Sequence, residues 1–294
     1  MKHIVDTASV LSGNAKDQKI GLVLGSGAVR GLAQIGIIKA MVERNISIDI
    51  IAGTSIGAIV GACYARMLTK SKDFRSNFSK ITWDDLYTFA DLNLESVLRG
   101  FFRVGKILDW LKDVFGDLAF SDLDIPLAIV TTDLRTGEEV VIREGSVLDA
   151  VMASISIPSI FTPVKVGKHT LIDGAFVNPV PVNVARDLGA SFLIACDTTG
   201  SLPGKDKRQE TKRLVRMFSR RNKHFAESAG AMFKLLKQTI HYMESGIVKS
   251  QLHKADIVIS PHLDDIDMLA FSQSQEVIVR GYDAAHKTLA AALA

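Results

Sequence analysis

Ser55 stands between two glycines in Gly53-Thr54-Ser55-Ile56-Gly57, and Asp173 heads the triplet Asp173-Gly174-Ala175. A serine hydroxyl is a weak nucleophile, but with a base in hydrogen-bond reach it attacks acyl carbonyls and forms a covalent intermediate. A third cluster, Gly25-Ser26-Gly27-Ala28-Val29-Arg30-Gly31, reads as a glycine-rich turn entering a helix. Backbone N–H groups at Gly27 and Ala28 would face the oxyanion of a tetrahedral intermediate, where losing one donor costs about 10²–10³ in rate. The chemistry these three clusters suggest is acyl transfer.

A Gly-x-Ser-x-Gly pattern arises by chance in about one chain in ten of this length, so its surroundings decide. Apart from Asp49, Ile48 to Ala52 is an isoleucine-rich apolar run, as a buried parallel strand should be. From Ile56 onward, Ala58, Ile59, Val60, Ala62 and Ala65 sustain a helix. Strand, sharp turn with an exposed serine, and helix follow in the order of a nucleophile elbow.

The base is less obvious. The usual partner is histidine, yet none of the seven sits in a glycine-rich turn that would hold it over a nucleophile. A Ser-His-Asp arrangement through His253 or His262, which flank the last strand, stays open. Asp173 is better placed. It follows the apolar Thr170-Leu171-Ile172, and active sites of α/β sheets form at such strand ends. The stiff Asn178-Pro179-Val180-Pro181 segment follows, and partial desolvation would raise the carboxyl pKa toward that of a useful base. Its own residues equally allow an aspartate that caps a turn.

Arg30 is open in the same way: it holds a phosphate or carboxylate of a substrate, or it makes a structural salt bridge. A dinucleotide fingerprint fits the first turn badly. The third glycine would fall at Arg30, and the acid about 20 residues on, Asp49, begins a strand where it should end one.

The elements that must carry these residues alternate between strand and helix. Strands are expected at Ile20 to Leu24, Leu127 to Thr132, Glu139 to Arg143, Val164 to Val166, Thr170 to Ile172, Phe192 to Cys196 and Ile257 to Ser260. Helices are expected at Leu32 to Glu43, through the elbow to about Leu68, within Val97 to Leu118, and at Val147 to Ser154 and Pro181 to Leu188. Two more close the chain, at Glu227 to Lys249 and Ser272 to Leu293. The stripe Ile107, Leu108, Trp110, Leu111, Val114 and Phe115 reads as core, or as one wall of an acyl-binding cleft. This alternation predicts an α/β sandwich, three layers around a central, mostly parallel sheet.

The 294 residues, 47% hydrophobic and 23% charged, suit one large domain. We expect a loose tail over 1–18, a hydrolase core over 20–186, and strands and helices over 187–294 completing the same domain. Cys63 and Cys196 lie in apolar segments, which excludes a disulfide framework. No apolar run reaches the ~18 residues of a membrane span, and no secretory signal is evident. A cytoplasmic protein follows, one that docks peripherally on membranes if its basic segment is used that way. That segment, 205–223, holds nine Lys or Arg against Asp206 and Glu210, a net +7 in a chain whose total is +3. With Leu214, Val215 and Phe218 at helical spacing, it suits an anionic lipid surface or a solvated helix. Nucleic-acid motifs are lacking.

In order and local sequence, these segments resemble the patatin-like phospholipase family, whose members use a Ser-Asp dyad without histidine. Gly25-x-Gly27-x-x-Arg30-Gly31 resembles the oxyanion block, Gly53-Thr54-Ser55-Ile56-Gly57 the nucleophile block, and Asp173-Gly174-Ala175 the aspartate block. Ala153-Ser154 through Pro158 to Val164 resembles the family's short proline-containing block. The similarity runs from about Lys19 to Asp197 and is strongest to small bacterial members called RssA-like. Ser26, Ala28 and Val29 depart from the Gly, Gly and Ala of many members, but backbone donors survive such changes.

The resemblance implies a lipid acyl hydrolase of the phospholipase A, lysophospholipase or esterase kind. Ser55 would be the nucleophile and Asp173 the base, Gly27 and Ala28 the oxyanion donors, and Arg30 a contact to substrate phosphate. It calls for neither metal nor organic cofactor. Soluble acyl esters or thioesters as substrates, or a regulatory protein with incidental hydrolysis, are the other readings.

Overall fold

The computed structural model describes residues 7–13, 17–69, 104–158, 160–200, 239, 242–268 and 270–293. Eight strands form one sheet: β1 (Ile20–Leu24), β2 (Ile50–Thr54), β3 (Leu127–Asp133), β4 (Glu139–Ile142), β5 (Val164–Val166), β6 (His169–Asp173), β7 (Phe192–Cys196) and β8 (Ile257–Ile259). Five are mutually parallel, in the order β3, β2, β1, β7, β8; β4 and β6 pair antiparallel with β3, and β5 pairs with β6. The helices are α1 (Thr7–Leu11), α2 (Ala33–Glu43), α3 (Ile56–Thr69), α4 (Val104–Phe115), α5 (Val147–Ser154), α6 (Val182–Asp187), α7 (242–252) and α8 (Ser274–Leu293).

Strand alternation builds two cores. Leu22, Leu24, Ile51, Ile129 and Ile194 face one side, onto a large cluster with α2, α3, α4, α5 and α8. Val23, Ala52, Val130, Leu193 and Ala195 face the other, onto a smaller cluster with Val182 and Val184 of α6 and Val248 of α7. Adjacent residues serve opposite faces because the side-chain period of a strand is two. The result is the expected three-layer α/β sandwich.

The C-terminal helix is bound by close backbone approach. A Cβ at Gly36 of α2 would lie 2.0 Å from the Ile278 carbonyl oxygen, and one at Gly281 of α8 would lie 2.0 Å from that of Ala33. Only glycine on both helices lets them meet this closely. The C-terminal α8 therefore packs directly against α2.

Three local expectations shift. The tail is not wholly loose, for α1 packs on α8 with Val10 and Leu11 buried. β2 begins at Ile50 and runs on through Gly53 and Thr54, which still pair with Leu24 and Val130. Asp49 precedes it and uses its carboxylate to accept from the Ile20 amide. The expected helix at Leu32 opens earlier, as a 3-10 turn over Ala28–Leu32. The stripe on α4 is core: Ile107, Trp110, Leu111, Val114 and Phe115 are buried, and the helix packs on α5. The basic segment 205–223 and most of the helix expected over Glu227 to Lys249 lie outside the described residues. Among the described residues, no helix is long and apolar enough to cross a membrane, and no cluster of His, Cys, Asp or Glu is arranged to hold a metal.

Candidate active site

Ser55 and Asp173 meet because β2 and β6 end against the same edge of β3. β4 pairs with Ile129 to Thr132 on one edge. The opposite edge is shared: β2 occupies Leu127 to Val130, and β6, running the other way, occupies Thr131 to Asp133. Thr54 is therefore registered on Val130 and Asp173 on Thr131, the next residue. Two strands pointing at each other leave a gap one residue wide, and the two side chains converge over it. Ser55 Oγ donates to Asp173 Oδ2 at 2.6 Å across 118 positions of sequence.

The elbow is tight. Ser55 takes the left-handed conformation, φ 56°, which costs a non-glycine residue about 1–2 kcal/mol. A Cβ on Gly53 would lie 2.5 Å from the Gly57 carbonyl oxygen, and one on Gly57 would lie 2.2 Å from that of Leu24. Thus the glycines two places either side of the serine let α3 fold back over β2 and against β1. Thr54 Oγ1 donates to the Asn178 carbonyl, tying the elbow to the loop that leaves Asp173.

Asp173 is held from all sides. Its amide donates to Ser156 O, its carbonyl accepts from Thr132 Oγ1, and Oδ1 accepts from the Ala175 amide at 2.9 Å. Gly174 follows because a Cβ there would strike the Val130 carbonyl oxygen at 2.3 Å. The carboxyl is 2% exposed, and burial pushes its pKa up to about 7 against the opposing bonds from Ser55 and Ala175. Desolvation outweighs those bonds because the ionised form loses far more hydration than two donors replace. A carboxylate poised near neutrality suits a general base.

The first turn offers donors. Gly27 has φ 145° and Ala28 φ 51°. The Val29 amide is used on Met268 O and the Arg30 amide on Gly27 O, whereas the Gly27 and Ala28 amides have no partner among the described residues. Gly25 and Gly31 permit crowding, since a Cβ at Gly31 would overlap Ile56 at 2.1 Å. The turn thereby packs directly on the start of α3, beside Ser55.

Arg30 turns its guanidinium to main-chain carbonyls. Its guanidinium is buried, donating from Nε to Ile266 O and from Nη1 to Thr199 O, both at 2.9 Å. Burial lowers its pKa, while Asp264, Asp267 and Glu244 act the other way. Main-chain carbonyls thus hold it as a strut between the turn and the C-terminal loops. Among the described residues, neither His253 nor His262 pairs with Ser55 or Asp173: His253 bonds Lys249 O and His262 is exposed beside Asp264, while His169 binds Asp133 at 2.6 Å.

Two groups were not anticipated. Ser154 Oγ donates to the Val130 carbonyl at 2.7 Å and accepts from the Ser55 amide at 2.9 Å, which fills the gap where β2 and β6 both stop. Glu244 on α7 is buried and accepts from Ser26 Oγ at 2.8 Å. A signal for Glu244 exists in the sequence: it lies four residues before Val248 and eight before Leu252, so it falls on the apolar stripe of its helix.

The model of the patatin-like phospholipase family matches residues 22–186, more than half of the chain. An uncharacterised NTE family protein of Mycobacterium tuberculosis is 35% identical over 186 residues, 63% of this chain and 51% of that protein. Mouse patatin-like phospholipase domain-containing protein 7 is 34% identical over 194 residues, covering 65% of this chain and 14% of its own length. The match thus spans about half of the mycobacterial relative and a small part of the mouse one. The crystal structure of VipD from Legionella pneumophila aligns with 94% of this chain and 67% of its own, at 13% identity and a TM-score of 0.47, too distant to carry an argument. The family model covers all three clusters with their intervening strands, and the chain belongs to the patatin-like phospholipase family.

Proposed function

We propose that this protein hydrolyses carboxylic esters of lipids through a Ser55–Asp173 dyad. The observation that carries the reading is the 2.6 Å hydrogen bond from Ser55 Oγ to a buried carboxyl with a pKa near 7. Family membership supports the lipid class of substrate. Asp173 takes the hydroxyl proton as Oγ attacks the ester carbonyl, and the Gly27 and Ala28 amides receive the developing oxyanion. The C–O bond to the alcohol or lysolipid breaks, and the proton on Asp173 passes to that leaving oxygen. Water then gives a proton to Asp173 and attacks the acyl-enzyme. Oγ leaves, recovers that proton, and the fatty acid is released.

Arg30 is committed to main-chain carbonyls, so head-group recognition falls to other residues. The basic 205–223 segment supports docking on anionic lipid, with the protein working at a membrane surface from the cytoplasm. Purified protein should release fatty acid from phospholipid or lysophospholipid vesicles, faster on anionic than on neutral ones, and Ser55→Ala should lower the rate at least 10³-fold. Turnover confined to short soluble esters or acyl-CoA would move the substrate class. Undiminished turnover in Ser55→Ala would refute the dyad.

A further inference from the structure

We propose that Glu244 is a positioning residue for hydrolysis at Ser55, bracing through Ser26 the peptide that carries the Gly27 N–H. The inference rests on reading that turn as the oxyanion hole. Ser26 is fixed at three points: its amide donates to Pro179 O at 2.8 Å, its carbonyl accepts from Thr198 Oγ1 at 2.7 Å, and its hydroxyl donates to Glu244 Oε1 at 2.8 Å. The carbonyl of Ser26 and the amide of Gly27 belong to one rigid peptide plane. Holding the Ser26 carbonyl within that plane, and the Ser26 amide and side chain just before it, therefore fixes the direction of the donor. Rate follows such alignment closely, since the donors must point where charge develops in the transition state.

The arrangement is costly, and the cost argues for a use. Glu244 is 2% exposed, and its second oxygen, Oε2, has no partner among the described residues. An apolar side chain there would extend the stripe of Val248 and Leu252 without burying a polar group. Burial pushes the Glu244 pKa up to about 8. Asp173 and Asp197 raise it further, while the Ser26 bond and Arg30 pull it down. Burial thus favours the uncharged carboxyl, whose Oε1 accepts from Ser26 and braces the turn without setting a second negative charge against an oxyanion.

The test measures kcat and KM on a soluble p-nitrophenyl ester for the full chain and for Ser26→Ala, Glu244→Ala, the double variant and Glu244→Gln, with thermal melting of each. Both single alanine variants should lose about tenfold in kcat with KM within twofold, and the double variant should lose no more than either. Glu244→Gln, which keeps a neutral acceptor for Ser26, should recover most of that loss. A folded Glu244→Ala with full kcat, multiplying losses in the double variant, or a Gln variant as slow as Ala overturns the proposal. If Glu244→Ala does not fold, Ser26→Ala removes the same bond from the other side, and full kcat there is equally fatal. Wild-type protein inactive on every ester would instead defeat the hydrolase reading itself.

Discussion

The elbow at Ser55 and the glycine-rich turn over residues 25–31 sit side by side yet are held in different ways. The elbow gets its close packing from nearby glycines: Gly53 nests on Gly57, and Gly57 on Leu24 at the end of the neighbouring strand. The turn over residues 25–31 is braced from afar, by Pro179, Thr198, Thr199, Glu244, Ile266 and Met268. Close packing needs only small residues at fixed spacing, whereas a turn that presents unpaired amides needs its remaining polar groups satisfied by whatever the fold brings near. The elbow is legible in five residues, although Ser154 and Asn178 also tie it down. The neighbouring turn depends largely on the last third of the chain.

This contrast can be broken from either side. Gly57→Ala sets a Cβ against the Leu24 and Gly25 carbonyls, main-chain atoms that cannot swing aside. It should cost about 3 kcal/mol or more, read by denaturant unfolding, and abolish activity. An Ala variant of normal stability would mean that the elbow is looser than described.

Where the elbow meets β6, chemistry opposes stability. The folded-state pKa of Asp173 lies near 7, above its unfolded value, so the native state binds the proton more tightly. Stability therefore falls as pH rises from about 4 to 7 and stays lower beyond. Asp173→Asn should melt higher than wild type at pH 8 by an amount of order 3 kcal/mol, with the gap closing toward pH 4. A variant that melts lower at pH 8 would contradict the buried, desolvated base.

Arg30→Ala tests the distant bracing. It leaves the Ile266 and Thr199 carbonyls without their donor, which should cost about 2–3 kcal/mol in thermal or denaturant unfolding. Its KM for a phospholipid should change no more than its KM for an uncharged ester. A selective rise for the phospholipid would restore the arginine as a head-group contact.

What the sequence made legible follows the same division. β1, β2, β3, β7 and the elbow announce themselves through apolar runs and glycine spacing, because buried parallel strands and close turns leave few choices of residue. The Asp173 triplet was visible, but its pairing with Ser55 depends on two strands sharing one edge of β3, a long-range register that no local pattern records. Ser154 and Glu244 were missed as partners for that reason. Each is an ordinary helix residue until the sheet brings Val130 and Ser26 to it. Arg30 could not be assigned from sequence, because an arginine beside a glycine turn looks the same whether it faces a ligand or a carbonyl.

The central claim is that a lone buried carboxyl activates Ser55. A fluorophosphonate probe with mass-spectrometric mapping tests it most directly, on wild type and Asp173→Asn across pH 5 to 9. The account predicts labelling at Ser55 alone, with a rate that climbs through about pH 7 as Asp173 ionises, and almost none in Asp173→Asn. Equal labelling of the two proteins, or none in wild type at any pH, would contradict it.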